Sequence, residues 1–151
     1  MLAASAPVEA QRTPARPAAP APAAAAPAAL PDQLTVAKLV WSTMAAVDHA
    51  NRTGNYSVLR ELGSPGFRSA NTPAGLAAIF AAVRQQRLDL SNTLLVEPIL
   101  DFPPRFESGL LRVRGAFRMR PSGVQFDLLF EANGGSWALF GIAVAPLAMP
   151  R

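Results

Sequence analysis

The chain has 151 residues, 15 of them proline, and a net charge of +4 carried almost wholly by arginine, since Lys38 is its one lysine. It has no cysteine and a single histidine, which excludes disulfides, thiolate chemistry and the usual zinc shells, so no cofactor or metal is expected. No run of about 18 apolar residues escapes a breaker, so no transmembrane helix is expected. The arginines are spread rather than clustered with aromatics, which argues against nucleic acid as a partner.

Residues 1–31 read MLAASAPVEAQRTPARPAAPAPAAAAPAALP. Proline removes backbone donors and alanine offers little surface to bury, so this stretch reads as a disordered Ala/Pro-rich tether. Residues 32–147 are long enough for one domain with a single core, and residues 148–151 form a short tail. "LAASA" has the small-residue look of a signal-peptide end, though without a charged n-region or apolar h-region. A tether ahead of a small domain, in a composition typical of bacteria, points to export to the periplasm. A cytoplasmic location is the alternative.

Asp32 is placed to cap a helix. Val36, Val40, Met44 and Val47 then recur along one stripe with Trp41 beside it, and Gly54 supplies the stop. The end of this helix, "AVDHANRTGNY", holds the only histidine and the only tyrosine of the chain. Asp48, His49 and Tyr56 supply the residue types of an acid–base site. They also suit a structural helix end: Asp48 and Arg52 are four apart and can pair, and His49 lies off the apolar stripe. A second short helix follows over Tyr56–Leu62, with Asn55 as cap. A breaker at Gly63, Pro65 and Gly66 comes next. A third helix has Asn71 or Thr72 as cap and Pro73 at its first position, and ends near Arg87.

After Asn92 the period changes from helical to alternating. Strands are predicted at 94–102, 110–120, 124–132 and 136–146, with turns at Pro121-Ser122-Gly123 and Asn133-Gly134-Gly135. A two-residue turn at Pro121-Ser122 sets Phe117 opposite Phe126 and Arg112 opposite Glu131. Leu111, Val113, Phe117, Val124, Phe126, Leu128 and Phe130 then share one face. The other face carries Arg112, Arg114, Arg118 and Arg120 against Asp127 and Glu131. It reads either as a solvated ion-paired surface or as a polar face for a homodimer.

Helices first and strands after mean α+β. The expected architecture is three N-terminal helices packed in the concave face of a curved four-stranded antiparallel sheet. This layout resembles the NTF2-like superfamily, which includes SnoaL-type and ketosteroid-isomerase-like proteins. The residues that carry the resemblance are "VDHANRTGNYSVLRELGSPGF" (47–67) and "NGGSWALFGIAV" (133–144). It implies a cone-shaped pocket between sheet and helices, and dimerisation through the sheet.

Trp41, Met44, Phe80, Phe117, Phe126 and Phe140 are then either a filled core or the wall of a cavity for a small apolar ligand. The predicted inward sheet positions carry no acidic base. The sequence therefore favours a non-catalytic binding or assembly module. The alternative is a small isomerase or dehydratase-like enzyme using Asp48, His49 or Tyr56. No G-x-x-x-x-G-K-[ST], G-x-S-x-G or G-x-G-x-x-G is present.

Overall fold

The structure is a computed structural model that describes residues 28–151. The tether assigned to 1–31 lies, up to residue 27, outside the described residues. Helix α1 (Gln33–Thr53) begins where the Asp32 carboxylate accepts from the Thr35 amide at 2.7 Å. It ends at Gly54, whose φ of 74° places it in the left-handed region that glycine enters without steric cost. Four short helices follow: α2 (Ser57–Glu61), α3 (Pro65–Ala70), α4 (Pro73–Ile79) and α5 (Ala81–Gln85). A 3-10 helix (Leu90–Leu95) leads into the strands β1 (Ile99–Leu100), β2 (Arg105–Glu107), β3 (Leu110–Phe117), β4 (Ser122–Asn133) and β5 (Ser136–Ala148).

The fold is α+β, with a curved, open, antiparallel sheet ordered β1-β3-β4-β5 and with β2 also paired to β3. One sheet face and the α1 stripe form a single core. Val36, Val40, Met44 and Val47 pack in it with Leu111, Val113, Phe117, Val124, Phe126, Leu128 and Phe130. Tyr56, Phe80, Val83 and Leu90 complete it from the shorter helices and the 3-10 turn.

Several sequence expectations are corrected. The breaker at residues 63–66 contains α3. Ser64 caps it through its hydroxyl, and Pro65 sits in the first turn, where no backbone donor is missed. The third helix is divided at Phe80 into α4 and α5, with Thr72 as cap. The strand expected at 94–102 shrinks to Ile99–Leu100. Asp89 accepts from the Ser91 amide and starts a 3-10 turn instead, which leaves Leu94 and Leu95 exposed. Residues 103–109, between two of the expected strands, contain β2.

The β3–β4 register is offset by two residues from the expected one. Phe117 faces Val124 and Gly115 faces Phe126, because β3 stops at Phe117 and residues 118–121 make a longer connection. An offset of two preserves which side chains share a face, so the inward set stays apolar while every cross-strand partner changes. Arg112 lies opposite Leu129 rather than Glu131, and Arg114 lies opposite Asp127. Turn residues Gly134 and Gly135 have φ of 56° and 86°, the two-residue geometry that matches strand twist.

Strand β5 carries a bulge. Leu129 pairs with Gly141 and Phe130 with Leu139, so Phe140 is the extra residue. The far edge of β5 is tied to the helices. The Leu139 amide donates to Leu62 O at 3.0 Å, and the Ser64 amide donates to Leu139 O at 2.8 Å. Gly63 fits between them because any Cβ there would fall 2.2 Å from the Phe67 ring.

At the other edge β1 crosses Gly115 so closely that a Cβ would meet Ile99 O at 2.4 Å. Gly115→Ala is therefore expected to push β1 off the sheet and lower stability by about 1–3 kcal/mol. Urea denaturation and amide exchange at Asp101, whose N–H donates to Arg114 O at 3.0 Å, check it. An unchanged midpoint and unchanged exchange would contradict this packing.

Candidate functional site

Three places bring chemistry-bearing residues together. The first is a groove of about 600 Å³ between the first turns of α1 and the chain entering β1. Its floor is Val36 and Val40, both buried, and its walls are Trp41, Pro98 and Leu100. Helical spacing of four sets Val36 and Val40 one turn apart on the same side of α1. Trp41 is fixed by its indole Nε1, which donates to Thr93 O at 2.9 Å and ties α1 to the 3-10 turn. Pro98 has no N–H, so the strand that ends the groove can pair only beyond it. Asp32, Gln33 and Glu97 stand at the polar rim. The Thr35 amide and then its hydroxyl hold the Asp32 carboxyl below the ordinary value of 3.8, so the rim keeps negative charge.

Of the residues proposed to line an apolar pocket, Trp41 alone borders this groove. Met44, Phe80, Phe117 and Phe126 lie in the core, each 2% exposed or less, and Phe117 and Phe126 pack ring against ring at 5.4 Å. Phe140 is 41% exposed. The bulge rotates it off the inward face and leaves its ring within 4 Å of where a Gly66 Cβ would stand.

The second place is the C-terminal end of α1. Asp48 is buried and pairs with Arg52 Nη1 at 3.1 Å, the i, i+4 contact expected from the sequence. It lines a polar cavity of about 490 Å³. Tyr56 is 1% exposed and stacks on Phe80 with centroids 6.0 Å apart. Its hydroxyl donates to Asn51 Oδ1 at 2.5 Å and accepts from Arg84 Nη1. His49 is exposed, and neither it nor Tyr56 is among the residues that line the cavity. Tyr56 is thus bonded to Asn51 and Arg84, Asp48 to Arg52, and His49 stands apart from both.

The third place is the outer sheet face. Arg112 grips both oxygens of Asp127 at 2.9 and 2.6 Å and reaches Glu107 at 2.7 Å. Arg114 pairs with Asp101 at 3.0 Å and stands 4.0 Å from Asp127. Arg118 and Arg120 fall beyond the end of β3, and Arg120 reaches the Pro150 carbonyl at 3.4 Å. Glu131 has no ion partner among the described residues. Solvent and salt screen exposed pairs of this kind. Beside them Ala116, Ala143 and Ala145 floor a hollow of about 380 Å³, and Gly141 and Ala143 help floor another of about 460 Å³.

Two signals were missed in the sequence. Glu107 falls between two expected strands, yet β2, with Arg105 facing Arg112, carries it to the Arg112 guanidinium. Arg84 lies 28 residues from Tyr56, and no local pattern joins them.

The Arg112 hydrogen bond, then that of Arg105, holds the Glu107 carboxyl below its ordinary 4.5, and Ser91 holds Asp89 below 3.8. The folded state then binds fewer protons than the unfolded chain. This stability is fully present above the ordinary values and is lost as pH falls through the lowered ones. The urea midpoint is expected to drop on acidification from about pH 5 to about pH 3, and Glu107→Gln to drop less. Equal pH dependence of the two proteins would show that the Glu107 contact does not matter to folding.

Comparison with protein-family models, curated proteins and solved structures gives no match, so the resemblance to NTF2-like domains rests on the sequence layout alone.

Proposed function

We propose that the domain is a non-catalytic, NTF2-like binding module that takes a small apolar molecule in the groove between α1 and β1. The supporting observation is where apolar surface meets open space. Phe117, Phe126 and Phe130 are consumed by packing, whereas Val36, Val40, Trp41, Pro98 and Leu100 border a cavity of about 600 Å³. That volume falls within the range of about 300–1,000 Å³ typical of small-molecule sites. Binding would proceed by removing ligand and groove surface from water, worth about 25 cal/mol per Å² before the costs of association. Asp32 and Glu97 at the rim favour a ligand with a donor or positive group at its exposed end.

A second reading, assembly, is favoured by the outer sheet face. Small residues floor two hollows, and charges of both signs frame them. A two-fold copy can match arginines of one face to carboxylates of the other.

The groove is tested with N-phenyl-1-naphthylamine, a neutral apolar probe, by fluorescence titration. Saturable binding is expected, weakened about tenfold or more by Trp41→Ala and by Leu34→Arg. Leu34 is 63% exposed, so its replacement leaves the core intact. Probe binding indifferent to both variants would sink the groove. Assembly is tested by native mass spectrometry of the whole chain. A dimer is expected, converted to monomer by combined Arg114→Glu and Arg118→Glu with the circular dichroism unchanged. A monomeric parent at about 100 μM, well above typical dimer constants, would remove this reading.

A further inference from the structure

The polar cavity at the C-terminal end of α1 is separate from the apolar groove, and its charges do not cancel. Arg52, Arg84 and Arg87 line it together with Asp48 and Asp89. Arg52 answers the carboxylates: it pairs with Asp48 at 3.1 Å, and its field reaches Asp89. Arg84 and Arg87 have no carboxylate within 4.0 Å among the described residues. The Arg84 guanidinium bonds the Tyr56 hydroxyl with one Nη and lies 5.6 Å from the centre of the Tyr56 ring. A guanidinium has five donor hydrogens, so most of its capacity is unspent.

A second, independent observation concerns Asn51. Its Oδ1 is taken by the Tyr56 hydroxyl, and its Nδ2 is buried with no hydrogen-bond partner. Arg84 and Arg87 thus bring unspent donors to the cavity wall, and Asn51 Nδ2 lies closed off behind it.

We propose that this cavity binds a small monocarboxylic acid, its carboxylate facing Arg84 and Arg87. The charge balance selects the class. Three arginines against two aspartates leave one positive charge, and the aspartate walls repel a dianion. Guanidinium groups match the fork of a carboxylate. A volume of about 490 Å³ is far larger than a bare halide needs, and Leu88 gives the organic part an apolar contact.

The test is two-dimensional NMR titration of the full chain with sodium acetate and sodium benzoate, against sodium chloride and inorganic phosphate, at low ionic strength. Both carboxylates are expected to produce saturable shifts of the Arg84 and Arg87 Nε signals, benzoate at lower concentration. Arg87 is exposed and has no recorded partner, so Arg87→Gln is expected to fold as the parent does and to bind about tenfold more weakly. Trp41→Ala is expected to leave carboxylate binding unchanged, which separates this site from the apolar groove. Failure to saturate, an Arg87→Gln variant that binds like the parent, or chloride and phosphate acting as strongly as the carboxylates would each overturn the proposal.

Discussion

Strands β3 and β4 alternate with period two, and the apolar half of each must leave water. Leu111, Val113, Phe117, Val124, Phe126, Leu128 and Phe130 find their cover in Val36, Val40, Met44 and Val47 of α1. This burial decides what else the molecule can do. It uses up the aromatic side chains that a central cavity would need. It directs the charged half of the same strands to the opposite face. It also leaves a cavity at each of the two ends of α1.

The two ends differ in chemistry because the helix differs along its length. Its first turns present valine, alanine and tryptophan and meet a chain that arrives through Pro98. Its last turns present Asp48, Asn51 and Arg52 and meet the polar stretch after α5. Tyr56 divides core from cavity at this second end. Its ring belongs to the apolar cluster, and its hydroxyl belongs to the network of Asn51 and Arg84. A tyrosine suits that boundary because one side chain is apolar along its body and polar at its tip.

Legibility in the sequence followed the range of the interactions. Helix α1 was readable because its stripe, its aspartate cap and its glycine stop are all local. The sheet faces were readable because alternation survives an offset of two residues, although the partners of Phe117 and Arg112 were not. Phe140 was misplaced because a single extra residue reverses the phase of a strand without altering composition. Residues 94–96 are an apolar run like a strand's, yet the Asp89 side chain captured the backbone just before them. The partnership of Tyr56 with Arg84, and that of Glu107 with Arg112, came from tertiary and cross-strand pairing that no short window contains.

The clasp between Leu139 and the Leu62–Ser64 segment bears on how the chain matures. During synthesis the helices emerge first, but the hydrogen bonds that seat residues 62–64 need a backbone some 75 positions later. Until residue 139 leaves the ribosome, α3 with Phe67 lacks the strand it docks beside. Such distant pairing also carries a loop-closure cost, which favours slow and concerted folding over stepwise growth from the amino end.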